Sequence, residues 1–144
     1  LSHPGGCCGY RFEVPGVGPI VIATDYEPDP EPNPRVVEFF DGARLLLVDM
    51  QYDEEEYLGK KAIGGMAMPR VGWGHATPDR LFPTILKCRN RPGKVRIVHH
   101  DPKKCDTVLR QFYEHSVNVL CALAGTTEPP FDYEFGRSSD VYWL

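Results

Sequence analysis

Apolar and polar positions alternate over residues 10–14, which puts Tyr10, Phe12 and Val14 on one face of a strand. Residues 15–18 are rich in Gly and Pro, and residues 19–24 (Pro-Ile-Val-Ile-Ala-Thr) are an apolar run bounded by Asp25, so the two segments predict a β-hairpin. Residues 25–34 are acidic and proline-rich and read as an irregular connector. Val36, Val37, Phe39 and Phe40 then recur at helical spacing up to Gly42. The Leu-Leu-Leu-Val run within residues 44–50 has the unbroken hydrophobicity of a fully buried strand, closed by Asp49 and Gln51.

Residues 53–58 predict one or two helical turns, and residues 59–74 hold five glycines in a long loop. Thr77 and Pro78 suit the cap and first position of a helix with an apolar stripe at Leu81, Phe82, Ile85 and Leu86. Residues 95–98 (Val-Arg-Ile-Val) form the next strand and stop at His99-His100-Asp101-Pro102. Asp101 as cap and Pro102 as first residue predict a helix over 102–119, with Cys105, Val108, Leu109, Phe112 and Val119 on its apolar face. Residues 121–144 lose periodicity and predict no regular element, although the end is aromatic. The order β-β-α-β-α-α-β-α is that of a layered α/β protein. Three of its four strands end on a polar residue: Asp25, Asp49 and His99.

Composition narrows the class. The 144 residues, 42% hydrophobic and 25% charged, fit one soluble domain with an ordinary core. A net charge of −4 offers no basic field for nucleic acid. No apolar run approaches the roughly 20 residues that span a bilayer, and no signal peptide is visible. The five cysteines are odd in number and lack a C-x-x-C spacing, which favours reduced thiols in the cytoplasm. The first residue is Leu1 rather than methionine, which suits a piece of a longer protein.

Histidines and aspartates at strand ends and in loops are the side chains that bind zinc, manganese or iron. Spacing alone leaves other roles open. His75, after Gly-Trp-Gly, suits a loop histidine bonded to backbone; Asp25 suits a turn cap; His100 suits an exposed position.

Five segments carry a family resemblance. His3 followed by Gly9-Tyr10-Arg11 resembles an "H…GYR" segment, and Thr24-Asp25 after a buried strand resembles a "GDT" context. Asp49-Met50-Gln51-Tyr52 with Glu54-Glu55-Glu56-Tyr57 resembles "DAQYT-EEY". Gly74-His75-Ala76-Thr77 resembles "GHST", and Val98-His99-His100-Asp101-Pro102 resembles a final histidine motif. Together, over roughly residues 1–110, they resemble the C-terminal half of a metallo-β-lactamase-fold hydrolase, nearest the ribonuclease Z and small phosphodiesterase branch.

The resemblance implies half of an αββα sandwich, with residues 1–120 as the half-domain and 121–144 as its tail. It implies two divalent metal ions, zinc first, with manganese or iron as substitutes. His3, Asp25 and His99 would be ligands, Asp25 the bridge between the ions, and His75 the proton donor. The implied reaction is phosphodiester hydrolysis by a metal-activated hydroxide. The short hairpin between His3 and Asp25 leaves no room for a tRNA-gripping arm, so a small cyclic-nucleotide-like substrate fits better than nucleic acid. Lactone or thioester cleavage stays open on the same fold. The fold's H-x-H-x-D-H run is absent from this sequence. The expected partner is therefore the N-terminal half of the same domain, upstream or on another chain, with a homodimer as a further arrangement. The competing expectation is a binding or regulatory module without catalysis.

Overall fold

The computed structural model describes residues 1–62 and 67–136. Met66 and the aromatic end at Tyr142 and Trp143, both noted in the sequence, lie outside the described residues. Strands β1 (Tyr10–Val14) and β2 (Gly18–Ala23) form the hairpin, closed by a tight turn in which Val17 N–H donates to Val14 O and Gly16 takes a positive φ. Helix α1 (Pro34–Phe40) is capped by the Asn33 side chain and led by Pro34. Strand β3 (Leu45–Asp49) follows. Helix α2 (Glu54–Tyr57) starts with a capping box between Asp53 and Glu56. Then come α3 (Pro78–Leu86), β4 (Lys94–Val98), α4 (Asp106–Ala124) and β5 (Asp132–Phe135).

The molecule is α/β, with a five-stranded mixed sheet in the order β1-β2-β3-β4-β5. β1 is antiparallel to β2, and every later neighbour is parallel. Each parallel crossover steps one strand in the same direction. Right-handed crossovers therefore place their helices on one face of the sheet. The core lies between that face (Val21, Ala23, Leu46, Val48, Val95, Ile97) and the apolar sides of the helices, with Phe40, Phe82, Ile85 and Leu120 among its members.

The opposite face carries a lateral gradient. Register aligns Tyr10, Ile22, Leu47, Arg96 and Glu134 in one row and Phe12, Ile20, Leu45, Lys94 and Asp132 in the next. The rows run from apolar at β1–β3 to charged at β4–β5. Tyr10 and Phe12 are exposed and stack on each other. On this face of the Leu-Leu-Leu-Val run Leu45 is buried, while Leu47 is half-buried rather than buried.

Three expectations change. Helix α4 begins at Asp106 instead of residue 102. Asp101 closes a turn, accepting from Lys103 N–H at its side chain and from Lys104 N–H at its carbonyl, because Lys104 turns inward to a buried carboxylate. Cys105 and Val108 are accordingly exposed, and the buried stripe is Phe112, Ser116 and Leu120. The helix runs on to Ala124, where Gly125 in the left-handed conformation ends it. Residues 132–135 are not irregular but form edge strand β5. Tyr133 is buried and its hydroxyl bonds Ser116 Oγ at 2.7 Å. Finally, Thr77 precedes α3 without capping it; its hydroxyl donates to Glu54 Oε2.

Candidate functional site

Parallel strands expose their functional groups at their carboxyl ends, and adjacent strands β2, β3 and β4 end next to Asp25, Asp49 and His99. Asp25 (φ 51°) and His99 (φ 58°) are the only non-glycine residues with positive φ among the described residues. Left-handed backbone is unfavourable for such side chains and clusters at functional sites. His75 arrives from the loop before α3.

Asp49 is the centre of the group. It is fully buried, and one oxygen, Oδ2, receives three neighbours. Asp25 N–H donates to it at 3.1 Å; His75 Nδ1 lies at 2.7 Å and His99 Nδ1 at 3.1 Å. The other oxygen, Oδ1, is buried without a hydrogen-bond partner among the described residues. A buried carboxylate oxygen left bare costs free energy unless a donor or a cation meets it. His99 Nδ1 is also 3.4 Å from Asp25 Oδ1 and 3.2 Å from Gln51 Nε2. Asp25 and His99 are each more than 40% exposed at their side chains, so the group opens to solvent there.

A carboxylate only accepts, so His75 carries a proton on Nδ1 and Nε2 is its reactive nitrogen. Burial opposes charging the ring. The Asp49 hydrogen bond and the charges of Asp49, Asp25 and Glu27 outweigh it and raise the His75 pKa. The Tyr52 ring, edge-on to His75 at 5.9 Å, is no rival proton donor at neutral pH, because burial pushes its phenol up to about 12.

Asp25, Asp49, His75 and His99 each present a ligand atom, all within 4.8 Å of one another. Two imidazoles and two carboxylates form a mixed N/O donor set of the kind that holds zinc, manganese or iron, and the bare Asp49 Oδ1 fits a cation. The group can hold a metal ion.

His3 stands beside this group, its ring 6.2 Å from that of His75 in an edge-on contact. Its Nδ1 accepts the Gly5 N–H at 3.1 Å, which leaves the neutral ring's proton on Nε2. Ligation needs an unprotonated nitrogen, so His3 would bind a metal through Nε2 only after releasing Gly5. His100 turns away. It is half-buried rather than exposed, stacks on Phe135, and donates from Nε2 to Gly136 O, and burial lowers its pKa.

Two residues escaped the sequence reading. Asp49 was legible as a polar strand end, but its place between Asp25 and His99 depends on strand order. Glu27, inside the acidic connector, accepts the Tyr57 hydroxyl, Gly72 N–H (2.8 Å) and Gly74 N–H (2.8 Å). Burial works against its charge, yet those three donors hold its carboxyl below the ordinary range.

Fold and site thus define an α/β protein with a candidate cation site at the carboxyl ends of three adjacent parallel strands. The chain matches no family model, no curated protein and no solved structure. Among the described residues no helix is long and apolar enough to cross a membrane.

Proposed function

We propose that the chain is the C-terminal half of a metallo-β-lactamase-fold, metal-dependent hydrolase acting on a small phosphodiester in the cytoplasm. The observation that carries this reading is the convergence of Asp25, Asp49, His75 and His99, whose ligand atoms lie within 4.8 Å of one another, together with a second, buried Asp49 oxygen that has no hydrogen-bond partner among the described residues. Asp25 and His99 would hold a divalent cation, and Asp49, which anchors both histidines, would offer Oδ1 to it. A second ion would take His3, once freed from Gly5, with Asp25 as bridge and donors from the N-terminal half. Divalent cations supply Lewis acidity and a more acidic water. His75, protonated and backed by the Asp49 carboxylate, gives its Nε2 proton to the leaving oxygen.

The exposed Tyr10 and Phe12 of β1 suit cover by that missing half, which would bring the H-x-H-x-D-H run. The tight β1–β2 turn supports a small, cyclic-nucleotide-like substrate. A binding or regulatory module remains the second reading, favoured by the absence of that run from this sequence.

Calorimetric titration with Zn²⁺ and Mn²⁺ is expected to show binding by the chain, weakened at least about tenfold in His99→Ala. No binding by the unaltered chain, or equal affinity in the variant, overturns the metal site. Bis(4-nitrophenyl) phosphate assayed with the chain joined to its H-x-H-x-D-H half separates the two readings: turnover supports the hydrolase, and a folded protein that neither binds metal nor turns the ester over supports the module.

A further inference from the structure

We propose that Glu27 is a positioning residue that sets His3 and His75 against each other, a role that deepens the hydrolase reading and rests on it only for its kinetic consequence. Glu27 joins four segments of the chain. Its N–H donates to Ser2 O at 2.9 Å, which fixes the residue before His3. Its Oε1 accepts from the Tyr57 hydroxyl of α2 and from Gly72 N–H, and its Oε2 accepts from Gly74 N–H, the residue before His75. Asp25, two residues upstream, belongs to the donor group itself.

In Gly72-Trp73-Gly74 the middle residue is tied to Arg70, by Trp73 N–H donating to Arg70 O at 3.0 Å and by the guanidinium over its ring, while the amides on either side go to Glu27. Both glycines have positive φ, and the Trp73 side chain is largely exposed. The Glu27 carboxylate is therefore the side chain that fixes both glycine amides of this turn. The consequence reaches His3 by direct contact. Gly74 sits under the His3 ring so closely that a methyl group at its Cα would overlap the imidazole. Holding the Gly74 amide fixes the floor beneath one histidine and the chain entry to the other. A carboxylate with two oxygens can receive amides two residues apart, whereas a carboxamide has a single acceptor oxygen, and its NH₂ would face the second N–H.

The test uses ring resonances of the metal-free full chain. Glu27→Gln is nearly isosteric and is expected to move the His3 and His75 signals while those of His100 and His115 stay in place. Tyr57→Phe, which removes the hydroxyl donor and leaves both amide bonds, is expected to lower thermal stability with the His3 and His75 signals close to their original positions. Unmoved His3 and His75 signals in Glu27→Gln, or equal movement in Tyr57→Phe, overturns the proposal. If the hydrolase reading holds, kcat falls about a hundredfold in Glu27→Gln with KM unchanged; a rise in KM with kcat unchanged overturns the positioning role. The resonance result stands whether or not the chain hydrolyses anything.

Discussion

Replacing Asp49 with asparagine is expected to reduce cation affinity and any hydrolysis by about 10- to 100-fold, and to lower the pH at which His75 titrates in the metal-free chain. Asp49 Oδ2 takes the Asp25 amide and faces both His75 and His99. An asparagine oxygen in the same place keeps the Asp25 bond but withdraws the charge, and an asparagine NH₂ there opposes three groups. Without the Asp49 carboxylate, burial is opposed only by the smaller effects of the Asp25 and Glu27 charges, which shifts the balance toward the neutral ring. The folded-state pKa of His75 is raised above the unfolded value of about 6.5. Its bond to Asp49 thus adds stability that is complete below that value and fades as pH rises through the folded pKa. The stability gap between the original chain and Asp49→Asn should therefore be larger at the acid end of that interval than above it. Resonance titration of His75 measures the shift directly, and coincident midpoints in the two proteins would sink the account.

Lys104→Ala is expected to cost about 3–5 kcal/mol, the usual effect of stranding one member of a buried ion pair. Lys104 Nζ donates to Glu56 Oε2 at 2.6 Å and to Gln51 O at 2.7 Å, and both charged side chains are about 5% exposed or less. The ammonium also lies 4.3 Å from the Phe112 ring centre. Alanine would leave the Glu56 carboxylate buried with the Asp53 N–H as its remaining donor among the described residues. Removing both charges together, as Lys104→Met with Glu56→Leu, should recover most of the loss, less about 1 kcal/mol for the capping box that Glu56 completes. Thermal unfolding of the two proteins decides it: a double variant no more stable than Lys104→Ala would refute the stranded-charge explanation.

The same lysine shows where sequence ran out. Asp101-Pro102 has the chemistry of a helix start, but Lys104 turns inward to Glu56 and the backbone forms a turn before the helix begins. That preference lies in a contact 48 residues away and leaves no local trace. Strand β5 was missed for a related reason: Asp-Tyr-Glu-Phe alternates, yet four residues carry little signal until β4 offers an edge. In contrast, the hairpin and strands β3 and β4 were legible from apolar runs and their boundaries. So were Asp25 and His99 as polar strand ends. Glu27 was not, because a carboxylate in a Pro-rich acidic stretch looks like any solvated one until the amides of Gly72 and Gly74 reach it.

The left-handed backbone at Asp25 and His99 sets the needs of folding against those of the site. Strain of this kind costs on the order of 1 kcal/mol or more per residue, and glycine would relieve it. Asp25→Gly and His99→Gly should therefore unfold at a temperature no lower than the original chain while binding cations poorly. A marked fall in the unfolding temperature would show that the strain is absent. If it holds, damaging changes at these two residues leave the protein intact. Neither cellular quality control nor a stability screen would detect their loss, and only a test of binding or chemistry would.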